Sequence, residues 1–324
     1  MSLPTHFTLN TGARIPAVGF GTWQAKPLEV EHAVEVALRE GYRHIDCAAI
    51  YRNETEVGAG MRAAGVPREE IFITGKLWNT KHAPEDVEPA LDKTLQNLGV
   101  EYLDLYLMHW PVAFKPSNKW FPLDSSGVFE LAPDADPVTT YKAMEKLLAT
   151  GKVRAIGVSN FTAARLADLL SKVDVVPAVN QIEAHPYLQQ PELLQFCQRN
   201  GILVEAYSPL GNNQSGEPRA VDDAVVQAVA EEVGLDAGPV LLGWGVQRGT
   251  VVLSKSVTPA RIQANLQVRK LGEGVMRRLD GLERGKRFNF PARWGCDIFG
   301  EVGEDAVRRA AVEAAEENLV KFNV

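Results

Sequence analysis

Short apolar segments alternate with amphipathic helical segments eight times along this 324-residue chain, and this alternation limits the possible folds more than any other feature. The apolar segments do not alternate with polar residues, as expected of parallel strands that are buried on both faces. Eight strand-then-helix units in succession predict an α/β fold, a (β/α)8 barrel with an N-terminal β-hairpin and long loops at the C-terminal face. An open, doubly wound sheet is the alternative.

Both kinds of segment can be placed approximately from the sequence. The expected strands lie near residues 17–21, 42–46, 71–75, 102–109, 155–159, 178–183, 203–207 and 251–254. The expected helices lie near residues 28–40, 55–64, 84–98, 137–150, 163–172, 191–200, 222–233 and 259–270. The turn signal Asn10-Thr11-Gly12 predicts a leading hairpin over residues 7–15.

The glycine pattern favours the barrel over the open sheet. A doubly wound nucleotide-binding sheet carries a glycine-rich loop directly after its first strand, and this chain has none there. Gly58-Ala59-Gly60 lies inside a predicted helix and Gly272-Glu273-Gly274 follows no strand, so we interpret both as local backbone features. A dinucleotide, if one is bound, must therefore bind without that loop.

Two segments exceed the strand-and-helix repeat. Residues 111–136 form a predicted long loop at the C-terminal end of the fourth strand, which is the barrel face where active sites lie. The tail after residue 270 contains four aromatic side chains and a predicted helix over residues 304–319; the aromatics are Phe288, Phe290, Trp294 and Phe299. Either these aromatics only pack the tail against the barrel, or part of the tail also closes over the active site.

Composition and charge exclude several classes of function. The formal net charge of −7 gives no electrostatic reason to bind nucleic acid or an anionic membrane. No stretch approaches the roughly 18 apolar residues that span a bilayer, and the polar N-terminus lacks the features of a signal peptide. Three widely spaced cysteines argue against a disulfide framework. We expect a cytoplasmic protein that is a monomer.

Four side chains of complementary chemistry lie near the ends of three consecutive predicted strands. Asp46 ends the second strand, Tyr51 follows five residues later, Lys76 follows the third strand and His109 ends the fourth. Hydride transfer to a carbonyl leaves a negative oxygen that needs a proton. We expect Lys76 to lower the pKa of Tyr51, Asp46 to hold Lys76 charged, and a neutral His109 to orient the carbonyl.

Each of these residues also has a structural interpretation. Asp46 and Lys76 are compatible with a surface ion pair, and His109 with a core histidine; their joint placement favours catalysis. Ser159 lacks the second glycine of a hydrolase elbow motif. Glu183 and His185 share a strand face and could bind a metal, but no third ligand is evident, so no metal is expected.

Several motifs occur in a characteristic order: Gly19-Phe20-Gly21-Thr22-Trp23, Gly41-Tyr42-Arg43-His44-Ile45-Asp46, Tyr51-Arg52-Asn53-Glu54, Leu105-Tyr106-Leu107-Met108-His109-Trp110-Pro111, Gly157-Val158-Ser159-Asn160-Phe161 and Ser254-Lys255-Ser256-Val257-Thr258. Over roughly residues 7–300 the chain resembles the aldo-keto reductase superfamily, in particular fungal-type glycerol dehydrogenases and glyceraldehyde reductases. The resemblance implies one barrel domain over residues 1–324, with residues 301–324 as a helical extension.

The resemblance also implies NADP(H) as cofactor and the catalytic tetrad Asp46, Tyr51, Lys76 and His109. Tyr207 would stack on the nicotinamide, and Asn265 would lie at the adenine edge. The other implied cofactor residues are Gly21, Thr22, Trp23 and Asp46; Ser159, Asn160 and Gln181 for the carboxamide; Ser208, Pro209 and Leu210 for the pyrophosphate; and Lys255, Ser256, Val257, Thr258 and Arg261 around the 2′-phosphate. Two cations and a hydroxyl beside a helix start also suit a phosphate on physical grounds.

The implied substrates are small aldehydes: glyceraldehyde, aldoses, uronates and others. The residues expected to bind substrate are Trp23, Tyr51, Trp78, His109, Trp110, Trp120 and Trp294. Of the aromatic residues, Trp120 and Trp294 are expected at the outer wall of the pocket, together with Phe121. A non-catalytic regulatory or structural protein of the same fold, still binding NADP(H), is the alternative. Ala264 replaces a glutamate of many relatives, and the short segment 211–221 is not expected to clamp the pyrophosphate firmly.

Overall fold

Eight parallel strands form a closed barrel in the computed structural model, which describes residues 2–25, 28–212 and 216–322. A hairpin of β1 (His6–Thr8) and β2 (Arg14–Pro16) precedes it. The barrel strands are β3 (Val18–Gly21), β4 (His44–Asp46), β5 (Phe72–Leu77), β6 (Leu105–Met108), β7 (Ile156–Ser159), β8 (Val179–Glu183), β9 (Leu203–Tyr207) and β10 (Val251–Ser254). Because β10 pairs with both β9 and β3, the open sheet is excluded and the predicted barrel is confirmed.

Helices surround the barrel within the described residues. They are α1 (Glu29–Glu40), α2 (Glu54–Ala64), α3 (Pro84–Leu98), α4 (Pro137–Leu147), α5 (Ala163–Leu170), α6 (Pro191–Arg199), α7 (Ala224–Val233), α8 (Ala237–Gln247), α9 (Pro259–Asn265), α10 (Glu273–Asp280), α11 (Glu304–Glu313) and α12 (Ala315–Phe322). None of these is long and apolar enough to cross a membrane.

Local sequence explains most of these elements. Helix α1 buries Val30, Ala33, Val34, Ala37 and Leu38, a spacing of three and four residues that gives one apolar face. The helix ends where the backbone of the next residue, a glycine, turns left-handed. All four residues of β6 are buried, as are those of β10, which fits strands enclosed between the barrel interior and the helices.

Three parts of the chain were predicted wrongly or not at all. Helix α8 is buried from Pro239 to Val246, so it has no polar face and none of the periodicity that marks an amphipathic helix. Helix α10, after Gly272, was also missed. The helix predicted over residues 304–319 is two helices, α11 and α12, separated at Ala314.

The polar positions at the strand ends differ slightly from those predicted. Asp46 is the last residue of β4, and His109 directly follows β6. Lys76 lies inside β5 rather than after it, because the strand continues to Leu77. Since side chains alternate along a strand, Lys76 points to the same side as Thr74.

The tail packs against the long loop over residues 111–136. That loop contains no helix, and two isolated bridges shape it, one between Phe114 and Leu131. The Asn318 side chain of α12 donates to the carbonyl of Gly127 at 3.1 Å. The ring of Phe322 lies 4.5 Å from that of Phe121, centroid to centroid. The C-terminal helix therefore supports the loop that borders the candidate site.

Gly58 and Gly60 are sites of close helix packing, consistent with their interpretation as backbone features. A Cβ on Gly58 would lie 2.2 Å from the carbonyl oxygen of Leu98 on α3. A Cβ on Gly60 would lie 2.4 Å from the carbonyl oxygen of Glu31 on α1. Neither neighbour is a flexible side-chain end, so helix α2 must shift to accept any larger residue.

We therefore expect Gly58→Ala to lower the free energy of unfolding by about 1–3 kcal/mol, because the added methyl group overpacks the α2–α3 contact. Gly274→Ala is the matched control, since nothing lies within 4 Å of its Cβ position in α10, and it should leave stability equal or higher. Urea denaturation followed by tryptophan fluorescence measures both. Equal effects of the two substitutions would contradict the packing argument.

Candidate active site

A fully buried ion pair lies at the C-terminal end of the barrel. Lys76 Nζ is 2.6 and 2.8 Å from the two carboxylate oxygens of Asp46, and it also donates to the carbonyl of Cys47 at 2.9 Å. Neighbouring strands β4 and β5 hold the two side chains, which are 3% and 0% exposed. Burial is the largest single influence and lowers the pKa of Lys76, but the charge of Asp46, its hydrogen bonds to Lys76 and the neighbouring Tyr51 together outweigh it, so the pKa is raised and Lys76 stays charged.

The phenol of Tyr51 approaches this pair. Lys76 Nζ is 3.3 Å from Tyr51 Oη and 5.0 Å from the centre of the ring. Burial raises the pKa of Tyr51 and the charge of Lys76 lowers it, and the resulting pKa is about 12. The expectation that Lys76 lowers this pKa overall was wrong, because the lysine charge is shared with Asp46 while the phenol is desolvated. Tyr51 is therefore protonated throughout the neutral range.

His109 completes the group of four. Its ring meets the Tyr51 ring edge-on, with centroids 5.9 Å apart. Burial is the main cause that holds the pKa of His109 well below its usual range, and electrostatic interactions with Lys76 and His82 lower it further. The imidazole is therefore neutral, as expected from the sequence. The structure thus brings together all four predicted catalytic residues.

A chain of hydrogen bonds connects several predicted cofactor residues. Tyr207 Oη donates to Asn160 Oδ1 at 2.7 Å, and Asn160 Nδ2 donates to the carbonyl of His109 at 2.9 Å. Ser159 Oγ donates to the backbone carbonyl of Gln181 at 2.8 Å. The left-handed backbone of Asn160, with φ of 65°, directs its side chain back over the ends of β6 and β7. These residues therefore share one rim of the barrel with the tetrad.

The expected 2′-phosphate and adenine residues lie apart from this network. No hydrogen bond between described residues links the side chains of Lys255, Arg261 or Asn265 to the tetrad. Lys255 is half-buried beside Gly21, and burial lowers its pKa. Arg261 is exposed, and the buried Asn265 faces Gly238 of α8. Among the described residues, neither cation has a carboxylate oxygen within 4.0 Å.

The remaining predicted cofactor residues follow β3, β9 and β10. Their exposure varies: Gly21, Thr22 and Pro209 are buried, Trp23, Ser208, Leu210 and Ser256 are half-buried, and Val257 and Thr258 are exposed. The segment 211–221 returns to the barrel, since Val221 N donates to the carbonyl of Leu210 at 3.0 Å. Residues 213–215 within it lie outside the described part of the chain. How firmly it holds a pyrophosphate, and the role of half-buried Ala264, stay predictions.

An aromatic cluster borders His109. Trp110 stacks on the His109 ring with centroids 6.2 Å apart, and Trp78 meets the same ring edge-on at 5.5 Å. Trp294 from the tail contacts both tryptophans, at 5.1 and 6.0 Å. The indole of Trp78 is fixed by its hydrogen bond to the carbonyl of Trp120 at 2.7 Å. The tail thus packs against the aromatic residues beside His109, and its closing over the site stays a prediction.

Trp23 is half-buried and is not a member of that cluster. Phe121 is part of it and meets the Trp78 ring at 5.4 Å. Their roles in substrate binding stay predictions.

Glu183 and His185 have protein partners instead of the arrangement of a metal site. His185 Nε2 lies 2.9 Å from Glu183 Oε1, and the backbone N–H groups of Phe288 and Asn289 donate to the same carboxylate. Among the described residues, no group of three or more His, Cys, Asp or Glu side chains is placed to hold a metal ion. The pair therefore anchors the tail.

Two residues at the site were not singled out from the sequence. Asn289 Nδ2 donates to Ser208 Oγ at 3.4 Å. Asn289 lies in the irregular tail, where no periodicity or motif of the sequence marks it as a site residue. Glu205 is completely buried inside the barrel next to Gln181. The sequence could have indicated Glu205, because it is a charged residue in the middle of the otherwise apolar strand β9, and an acid is rarely buried without a polar partner.

Comparison with known proteins agrees with this geometry. The model of the aldo/keto reductase family matches residues 17–284. The chain belongs to the aldo/keto reductase family. It is 48% identical to aldo-keto reductase family 1 member A1 of Sus scrofa over 296 residues, which cover 87% of this chain and 90% of the relative. It is 46% identical to D/L-glyceraldehyde reductase of Hypocrea jecorina over an alignment of 329 positions that covers 96% of this chain and 99% of the relative. The predicted membership is confirmed, and this aldo/keto reductase is an oxidoreductase.

The buried pair of this aldo/keto reductase predicts a non-additive effect on stability. Lys76→Met should lower the free energy of unfolding by about 3–5 kcal/mol, because it leaves the Asp46 carboxylate buried without a cation. Asp46→Asn should lower the free energy of unfolding by a similar amount, because it leaves the Lys76 ammonium group buried without a carboxylate. The double variant should lose less stability than the two single variants lose together, because it leaves no unpaired buried charge.

Urea denaturation of the four proteins measures this coupling. Lys172→Met is the surface control, since its partner Asp168 and Lys172 are both more than a third exposed, and it should have far less effect. Strictly additive losses in the double variant would show that the two buried charges do not depend on each other.

Proposed function

We propose that this aldo/keto reductase reduces aldehydes to primary alcohols with NADPH, and that Tyr51 donates the proton. The observation that supports this best is the position of Lys76 Nζ, which contacts both Asp46 and Tyr51 Oη while the His109 ring borders the same phenol. A phenol, a charged amine and a neutral imidazole at one point suit the protonation of a carbonyl oxygen.

The reaction needs a proton at the oxygen as well as a hydride at the carbon. Bound NADPH supplies the hydride. With a pKa of about 12, Tyr51 holds its proton at neutral pH and gives it up only to a strongly basic oxygen, such as the alkoxide that develops during reduction. Lys76 then stabilises the phenolate that remains, and Asp46 keeps Lys76 charged and in place.

His109 orients the carbonyl in this proposal. Because its imidazole is neutral, one ring nitrogen carries a hydrogen for donation to the substrate oxygen. Trp78 and Trp110 fix the ring from two sides, so the imidazole is preorganised rather than mobile. The surrounding aromatic rings exclude water from the reacting oxygen.

The residues present fit a nicotinamide dinucleotide phosphate. Tyr207 offers an aromatic ring whose hydroxyl is fixed by Asn160. Gln181 Oε1 accepts no hydrogen bond from the described residues and is available to a carboxamide N–H. Half-buried Lys255 and exposed Arg261 would hold a 2′-phosphate.

We infer that the substrates are small aldehydes, among them glyceraldehyde, aldoses and uronates. The name of the Hypocrea jecorina relative supports glyceraldehyde, and the enclosing tryptophans favour a small carbon chain over a bulky one. Oxidation of NADPH in the presence of an aldehyde panel tests this directly. Tight NADPH binding with no turnover of any aldehyde would instead indicate a regulatory or structural role.

The proton donor is tested by Tyr51→Phe. Removal of the hydroxyl should reduce kcat to less than a tenth of the wild-type value, because general acid catalysis contributes about 10²–10⁴-fold. The dissociation constant for NADPH should stay nearly the same. Tyr141→Phe is the matched control, since that buried hydroxyl has no hydrogen-bond partner among the described residues. Retained turnover in the Tyr51 variant, with chemistry rate-limiting, would remove Tyr51 from this role.

Cofactor choice is tested by replacing both Lys255 and Arg261 with Met. Loss of two charged hydrogen-bond donors should raise KM for NADPH by about tenfold to hundredfold, while KM for NADH changes little. Replacing exposed Arg308 and Arg309 of α11 with Met removes the same charge elsewhere and should preserve the preference for NADPH. Equal use of NADH and NADPH by the wild-type protein would contradict the 2′-phosphate assignment.

A further inference from the structure

The interior of this barrel contains a connected polar layer that includes two members of the tetrad. Inward positions of such barrels are usually filled by branched aliphatic side chains. Here β4, β5, β8 and β9 place polar side chains there, none more than 3% exposed: His44, Asp46, Thr74, Lys76, Gln181 and Glu205. The Asp46–Lys76 pair accounts for two of them, so the remaining four require an explanation.

Gln181 bridges two acids within this layer. Its Nε2 donates to Asp46 Oδ1 at 2.8 Å and to Glu205 Oε2 at 2.7 Å. Strand register places Gln181 directly opposite Glu205. The reverse orientation of the amide would bring its carbonyl oxygen against the ionised Asp46. Both amide hydrogens are therefore used inside the barrel, and Oε1 is the only group that Gln181 can offer to a ligand.

The surroundings of Glu205 favour its neutral form. Its Oε1 lies 3.5 Å from His44 Nε2. Burial and the charge of Lys76 lower the pKa of His44 to about 3, so this imidazole is neutral and does not balance a carboxylate. The charged groups that face Glu205 are Asp46 from β4 and Lys76 from β5, and these two charges neutralise each other. The neighbouring strands β8 and β10 place the uncharged residues Gln181 and Val251 opposite Glu205.

A second carboxylate would thus be an uncompensated charge in a fully buried position, which is strongly unfavourable. Consistent with this, burial and then the negative charge of Asp46 raise the pKa of Glu205 to about 8. Oε1 of Glu205 has no hydrogen-bond partner among the described residues, so no donor stabilises a charge on that oxygen, while Oε2 accepts from Gln181.

We propose that Glu205 is a neutral carboxylic acid that fixes the orientation of Gln181, so that Gln181 Oε1 is presented to the N–H of the nicotinamide carboxamide. This inference rests on the proposed function. Glu205 touches neither cofactor nor substrate and is a positioning residue: it takes up one amide hydrogen of Gln181, as Asp46 takes up the other. Without Glu205, the amide has one partner fewer and is free to rotate.

Two substitutions separate orientation from general packing. Glu205→Gln keeps an oxygen that accepts from Gln181 and carries no charge, so it preserves the arrangement of a protonated acid. Glu205→Leu has a similar volume but offers no acceptor. Thr74→Val is the matched control, because Thr74 Oγ1 contacts His44 Nε2 at 3.0 Å in the same buried layer but does not contact Gln181.

The measurement is the dissociation constant for NADP⁺ and for its 3-acetylpyridine analogue, in which a methyl ketone replaces the carboxamide and no N–H remains. Glu205→Leu should weaken NADP⁺ binding about threefold to tenfold, the effect of one lost hydrogen bond. It should leave binding of the analogue within about twofold of wild type. Glu205→Gln and Thr74→Val should bind both dinucleotides as the wild type does.

The outcomes distinguish this inference from the proposed function. If the wild type binds NADP⁺ but Glu205→Leu weakens both dinucleotides equally, Glu205 is only structural and the orientation role is wrong. If the wild type binds neither dinucleotide, the proposed function fails and this inference fails with it. Unchanged NADP⁺ binding in Glu205→Leu would also overturn the orientation role of Glu205.

The protonation state has its own measurement, which needs only wild type and Glu205→Gln. The infrared difference spectrum of the two proteins at neutral pH should contain the carbonyl band of a protonated carboxylic acid, and its absence would overturn the neutral assignment. Because the folded-state pKa of Glu205 lies above its unfolded value, the wild type should lose stability relative to Glu205→Gln as pH rises from about 5 to about 8. A pH-independent difference would contradict the same assignment.

Discussion

The ion pair between Asp46 and Lys76 is the interaction on which the candidate site depends. Two charges removed from water are stable only when they meet in close geometry and their remaining hydrogen-bonding groups are satisfied. Here Lys76 reaches both carboxylate oxygens, the Cys47 carbonyl and the Tyr51 hydroxyl. The pair therefore sets the position of the phenol, and its charges shift the pKa values of Tyr51 and Glu205.

Closure of the barrel makes this pair possible. Asp46 and Lys76 come from adjacent strands, but Gln181, which also binds Asp46, comes from β8 across the interior. A closed sheet brings inward side chains of distant strands into contact in layers. The same closure places the end of β10 beside β3, so that Lys255 lies next to Gly21. The tetrad and the expected phosphate residues thus occupy one rim although they are far apart in sequence.

The face above the tetrad is formed by segments outside the strand-and-helix repeat. The loop after β6 and the C-terminal tail meet where Phe114 contacts Trp294, and α12 supports the loop from outside. Trp78, directly after β5, packs against Trp294 as well. Glu183 holds the tail through the N–H groups of Phe288 and Asn289. The barrel thus fixes the four tetrad side chains, while packing between the loop and the tail forms the aromatic cluster beside His109.

The amino-acid sequence alone determined the barrel and much of its rim. Eight apolar segments with helical segments between them leave few ways to bury both faces of each strand, and polar residues at strand ends then fall on one rim. This reasoning found Asp46, Tyr51, Lys76 and His109. It missed α8, which is buried on all sides and so has no amphipathic period.

Only the tertiary structure decided the electrostatics. The pKa of Tyr51 is raised and not lowered, because burial of the phenol outweighs a lysine charge that is already shared with Asp46. The partnership of Gln181 with Glu205 and Asp46 joins residues 24 and 135 positions apart, and no local pattern encodes it. Desolvation and long-range contacts depend on the whole packed barrel, whereas hydrophobic periodicity is a local property that can be read from the sequence alone.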